Sequence, residues 1–139
     1  MKFKYRKVSV SPSAAFPRRN HLLRPIIPLS IMTKSRRVRY EALIDSGADY
    51  TIFPAALGAI LGLNPKKGKK ESVVGVSGAS LDVYFHHISI EVGGSEVKIY
   101  AGFAEAMNQD PGILGQNGYF DHFAVKFNLT KEEIEIKAK

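Results

Sequence analysis

Apolar positions along the chain recur mostly at a spacing of two. The runs 24–32 (RPIIPLSIM), 38–44 (VRYEALI), 81–92 (LDVYFHHISIEV), 96–103 (EVKIYAGF), 123–127 (FAVKF) and 134–137 (IEIK) are short and rich in β-branched and aromatic residues. They predict strands, because successive side chains of a strand point to opposite faces. Gly93-Gly94 in EVGGSEV predicts a tight hairpin between two of them, since such turns need positive φ. TKSRR (33–37) reads as a looser connection, and SPSAAFPRRN (11–20) as a loop punctuated by Pro and Ser. Helix is predicted in only two places: 54–63, where Pro54 would sit in the first turn before AALGAILGL, and a short turn after Gly115. The class is mainly β.

At 139 residues, 45% hydrophobic and 24% charged, the chain fits one globular domain with a modest core. The absence of cysteine excludes a disulfide scaffold and thiolate metal sites, and suits a reducing compartment. The first twenty residues are basic but lack the apolar stretch of a signal peptide, and no run reaches the ~18 apolar residues of a membrane-spanning helix. The expectation is a soluble, cytoplasmic protein.

Formal charge is +7 at pH 7, unevenly placed. Residues 1–40 hold eleven Lys/Arg and no Asp/Glu, against nine Lys/Arg and thirteen Asp/Glu in 41–139, so +11 precedes −4. Such an arm either attracts an anionic partner such as nucleic acid, or lies as an edge strand on an acidic surface of its own or a partner's body. Phe3, Tyr5 and Phe16 form no base-stacking platform, and the alternation of Phe3, Tyr5 and Lys7 with Lys4, Arg6 and Val8 fits the edge strand.

The strand at 40–44 runs into unusual residues. The apolar pair Leu43-Ile44 ends in Asp45-Ser46-Gly47-Ala48, followed by Asp49, Thr51 and a second apolar pair, Ile52-Phe53. Asp-Ser-Gly alone is an ordinary turn composition. Further on, VVGVSGAS (73–80) alternates apolar with small residues, and Ile113-Leu114-Gly115 precedes Gln116 and Asn117. These three segments, in this order, resemble the retropepsin-like aspartic protease family in its single-motif form: an active-site loop, a glycine-rich flap hairpin, and an apolar-apolar-Gly segment opening a short helix. The resemblance spans about residues 24–136. It implies a basic N-terminal extension over 1–23 and a protease domain over 24–139, built as a half-barrel with one or two short helices, working as a homodimer and needing no cofactor. By the same resemblance Asp45 is catalytic, and Ser46, Gly47 and Ala48 complete its loop. Gly47, Asp49, Gly75, Val76 and Gly78 contact substrate, and Ile113, Leu114 and Gly115 form the second motif.

The chemistry requires two carboxylates. Held side by side, they cannot both ionise cheaply, so they share a proton and supply base and acid together. A chain with one such motif therefore implies two subunits, each giving one Asp across a two-fold axis. Ser46 would offer its hydroxyl to the partner loop, and Gly47, lacking a side chain, would let substrate backbone approach. Asp49 either binds substrate main chain or caps the turn. Gln116 stands where retroviral enzymes usually carry an Arg paired with the acid at the position of Asp49. A neutral amide cannot form that ion pair, which leaves Asp49 less anchored, or held by an Arg of the basic arm.

Other candidates carry less chemistry. His86 and His87, adjacent in a strand, point to opposite faces and make no metal site. Ser46 lacks the Gly-x-Ser-x-Gly elbow of a hydrolase nucleophile, and GVSGAS lacks the Gly-Lys-Ser/Thr ending of a phosphate loop. Lys66, Lys67, Lys69 and Lys70 around Gly68 read as a solvated loop before the flap. The reading is an aspartic endopeptidase acting on peptide or protein substrates. The alternative is a catalytically silent dimeric module of the same fold that binds protein or nucleic acid.

Overall fold

A computed structural model describes residues 1–75, 78–107 and 111–139. Along the chain the strands are β1 (Lys2–Lys4), β2 (Arg6–Ser9), β3 (His21–Arg24), β4 (Ile26–Met32), β5 (Arg37–Ile44), β6 (Ile52–Pro54), β7 (Lys69–Val74), β8 (Ser80–Val92), β9 (Ser95–Ala104), β10 (Gly112–Leu114), β11 (Phe123–Asn128) and β12 (Glu133–Ala138). A single α-helix, α1 (Ala55–Ile60), and a 3₁₀ turn over Pro65–Lys67 complete the described elements. The six runs expected to be strands are strands, and Gly93 (φ 55°) and Gly94 (φ 91°) join β8 to β9 as expected.

The main sheet has the order β4-β5-β10-β6-β9-β8-β7, and Ser30–Met32 of β4 also pair with Ser89–Glu91 of β8, which closes six of these strands into a barrel. Ile27, Leu29 and Ile31 of β4 pack there against Ile88, Ile90 and Val92 of β8 and against Ile99, Ala101 and Phe103 of β9. Strand β8 serves a second core as well. Its buried positions are Val83 and Phe85 toward the N-terminal end, then Ile88, Ile90 and Val92, so the buried face changes at His86-His87 while pairing with β9 continues unbroken. The first pair joins Ile52 and Ala104 in a smaller cluster beside the flap. One long strand thus presents opposite faces to two cores, and its sequence shows the change of phase.

Both ends of the chain meet in a three-stranded sheet, β1-β12-β11. The Met1 ammonium donates to Ile136 O at 2.9 Å, and Ile136 N donates to Met1 O at 2.8 Å. Lys2 and Lys4 stand opposite Glu135 and Glu133, while Phe3, Ile134 and Ile136 face the core. β2 and β3 form a separate two-stranded hairpin around the exposed loop 11–18. Arg6 pairs with Glu41, and Arg37 with Glu91 at 3.0 Å. The start of the arm therefore lies along the body, as the edge-strand reading expected, although only residues 2–4 join the terminal sheet.

Three local expectations change. Pro54 ends β6 in an extended conformation (φ −60°, ψ 141°) instead of entering the helix, which begins at Ala55 and stops before Gly62 at φ 83°. After Gly115 the chain makes successive turns and no helix. Phe120 N bonds to Gly115 O and Asp121 N to Gln116 O, each at 3.1 Å, because Gly118 at φ 101° breaks a right-handed path. Lys66 and Lys67 sit in the 3₁₀ turn, and Lys69 and Lys70 begin β7. No described helix is long and apolar enough to cross a membrane.

Candidate active site

β10 lies between β5 and β6, parallel to the first (Ile113 opposite Leu43, Leu114 opposite Ile44) and antiparallel to the second (Ile113 opposite Ile52). The chain leaves β5 at Ile44, loops through 45–51 and returns in β6, so the Asp45 loop hangs over the end of β10. The second motif holds that loop through its backbone. Asp45 N donates to Leu114 O at 3.0 Å, Gln116 N to Ala48 O at 2.8 Å, Asn117 N to Asp49 O at 2.9 Å, and Thr51 N to Asn117 O at 3.0 Å. Side chains add to this: Gln116 Nε2 donates to Ser46 O at 3.0 Å, Asn117 Nδ2 to Asp49 O at 2.8 Å, and Gly115 N to Thr51 Oγ1 at 3.1 Å. A Cβ on Gly115 would run into the carbonyl oxygens of Tyr50 and Ala48, so the two segments can approach this closely only with glycine there.

Asp45 is half-buried, and its Oδ1 accepts from Gly47 N at 2.9 Å. It opens on a cavity of about 400 Å³ whose apolar walls include Ile52, Val73, Leu81 and Ile113. Gly47, Ala48, Asp49 and Gly75 line the same cavity. Ser46, Gly78, Leu114 and Gly115 do not: Ser46 and Gly78 are exposed, and Leu114 and Gly115 are buried beneath the loop. β7 and β8 form the flap, with Val74 opposite Ser80 and Val73 opposite Leu81. At its end Gly75 N donates to Ala79 O at 3.1 Å and Gly78 N to Gly75 O at 2.9 Å, with Gly78 at φ 82°. Val76, expected to contact substrate, falls outside the described residues.

Asp49 is exposed, and its carboxylate has no hydrogen bond or ion pair among the described residues. The arm's Arg6, one candidate to hold it, is engaged with Glu41. Gln116 supplies no charge but does anchor the loop, through Ser46 O. Tyr50 and Leu81 line the site without having been singled out for it, and Thr51 and Ile52, part of the loop motif, had been given no role of their own. Thr51 carried a signal: it is a polar residue inside the run Tyr50-Thr51-Ile52-Phe53, and it is wholly buried. Among the described residues no cluster of His, Asp and Glu could hold a metal ion. His86 Nε2 instead meets Pro65 O at 2.8 Å, and His87 lies against Tyr100 with ring centres 4.6 Å apart.

This arrangement, a single Asp-Ser-Gly loop cradled by an apolar-apolar-Gly strand under a β-hairpin flap, is that of the retropepsin-like aspartic protease fold. Residues 30–117 match the sequence model of the family described as Aspartyl protease, and the chain belongs to that family. Two solved structures share the fold. A retropepsin-like aspartic protease from Rickettsia conorii is 16% identical with a TM-score of 0.58, the match covering 94% of this chain and 98% of that one. The EIAV protease complexed with the inhibitor HBY-793 is 23% identical with a TM-score of 0.51, covering 67% of this chain and 82% of that one. A comparison with curated protein sequences returned no match.

Proposed function

We propose that this chain is an aspartic endopeptidase that works as a homodimer, with Asp45 of each subunit forming a shared dyad. The observation that carries this reading is the half-buried Asp45 on the floor of an apolar cavity roofed by the flap. One carboxylate of the pair takes a proton from a bound water, which attacks the peptide carbonyl, and its protonated neighbour donates to the carbonyl oxygen. The proton is then passed to the departing amine. Gly47, Asp49 and Gly75, with Val76 and Gly78 of the flap, are the residues assigned to substrate main chain. Ser46, exposed and not part of the cavity lining, is assigned to the partner loop.

The need for a second subunit follows from the count of one motif per chain. β11 supports it, being the outer strand of the terminal sheet, with Phe127 42% exposed and Leu129, just beyond, 60% exposed. An open edge with exposed apolar residues suits pairing with a second copy.

The test is incubation with a degenerate peptide library from acid to neutral pH, with and without pepstatin, comparing wild type with Asp45→Asn at several protein concentrations. Cleavage that pepstatin blocks, that Asp45→Asn lacks and that falls per subunit on dilution is expected. Activity retained by Asp45→Asn, or a cleaving monomer, would refute the mechanism.

A further inference from the structure

A second cavity, of about 410 Å³, lies on the far side of Tyr50 from the Asp45 cavity, and Tyr50 lines both. Its floor is an aromatic row. Phe85 meets Tyr50 edge-on with ring centres 5.3 Å apart, and Tyr100 lies 5.3 Å from Phe85. Tyr100 stands 39% exposed on β9, next to the buried Ile99 and Ala101. The same flap strand walls both cavities, with Val73 and Val74 beside Asp45 and Lys69–Glu71 beside the aromatic row. Asn117, which holds Asp49 O, borders the second cavity too. One backbone unit therefore fixes the two spaces relative to each other.

We propose that the second cavity is a distal substrate subsite, which takes an aromatic or large apolar side chain of the same extended polypeptide whose scissile bond lies at Asp45. This rests on the endopeptidase reading given above. Val74 and Lys69 are five residues apart along β7, roughly 16 Å of extended chain. A peptide laid along the flap strand thus reaches the aromatic row about five residues from the one beside Val74. The rim selects little by charge: Lys69 and Lys70 face Glu71 and Asp121, and Lys70 is paired with Asp82 at 3.6 Å. Selection then falls on the exposed aromatic floor. Two-fold symmetry places one such cavity at each end of the cleft, so the preferred substrate is a long unfolded segment with bulky apolar residues well away from the cut, and a short peptide is a poor one.

The experiment separates this inference from the reading beneath it. Peptides selected on the Asp45→Asn chain, which binds without cutting, are made in a short form and in a form extended at both ends with a distal Phe. Affinity is read by fluorescence anisotropy, and cleavage by wild type is followed separately. The long form is expected to bind about tenfold more tightly, the scale of one well-buried aromatic side chain. A distal Ser in place of Phe should remove the gain, as should Tyr100→Ala, while Tyr100→Phe keeps it; the Ser peptide needs no change in the protein. Equal affinity of long and short forms, or a gain that survives Tyr100→Ala in a folded chain, overturns the subsite. If wild type cuts none of the peptides that Asp45→Asn binds with this length dependence, the endopeptidase reading falls and the cavity stands as a binding site. Cleavage with no length dependence does the reverse.

Discussion

Replacing Thr51 with Val tests whether the Ile113-Leu114-Gly115 segment holds the Asp45 loop by a specific hydrogen bond or by packing alone. Thr51 is wholly buried, and its hydroxyl accepts from Gly115 N at 3.1 Å. Valine keeps the shape and the methyl group but offers no acceptor. Leaving a buried N–H unsatisfied costs about 1–3 kcal/mol. For a domain of this length, a central value of about 2 kcal/mol corresponds to a fall of about 6–10 °C in melting temperature. Thr51→Ser gives the complementary measurement, since it keeps the acceptor and loses one buried methyl, at about 1 kcal/mol. Urea unfolding and thermal melts at one fixed protein concentration read both. Activity supplies a second readout: Leu114 O, one residue from the orphaned N–H, accepts from Asp45 N, so the valine variant is expected to lose kcat more than it raises KM. A valine variant within about 0.5 kcal/mol of wild type, or a serine variant that costs as much as valine, would refute the hydrogen-bond account.

Other outcomes are expected elsewhere. Asp45→Asn should abolish cleavage yet melt close to wild type, because asparagine's Oδ1 can still accept from Gly47 N; a large drop in melting temperature would show that the carboxylate is structural. Gly78→Val places a β-branched side chain at φ 82° in the flap, so turnover should fall by more than stability, with equal losses counting against a gating role. Tyr119 is wholly buried, and its hydroxyl meets no partner among the described residues, so Tyr119→Phe should be neutral or stabilising by up to about 1 kcal/mol in urea unfolding. Burial also pushes this phenol well above its ordinary value of 10.0. The folded chain then keeps a proton that the unfolded chain gives up, so stability is full below that value and declines as pH rises past it. The decline should be steeper in wild type than in Tyr119→Phe, and parallel curves would exclude Tyr119 as its source.

How much of this was legible in the sequence depended on where each element finds its partners. β4, β5, β8, β9, β11 and β12 carry their own alternating pattern, and the Gly93-Gly94 turn its own chemistry, so each could be read locally. β6 and β10 are three residues long, too short to show a period, and exist because the two pair with each other between the longer β5 and β9. β1 is equally short and pairs with residues more than a hundred positions away. Pro54 was misplaced because its fixed φ suits the end of a strand as well as the start of a helix. The order Asp45 loop, flap, Ile113-Leu114-Gly115 could be read as a site. What could not be read was how the last segment holds the first, since the Gln116 and Thr51 contacts appear only once distant strands have been brought side by side.

The meeting of Met1 with Ile136 has a kinetic consequence. These residues are 135 positions apart, so their sheet cannot form until both segments have been made, and closing so long a loop is an entropic cost met late in folding. The barrel strands have nearer partners and can assemble first. β12 is made after every other described strand, and until it emerges β1 lacks the strand it pairs with. If subunits associate through β11, which itself pairs with β12, association waits until β12 has been made. An interface of that kind would be unavailable while the barrel strands are forming, so barrel assembly and association would follow one another in a fixed order.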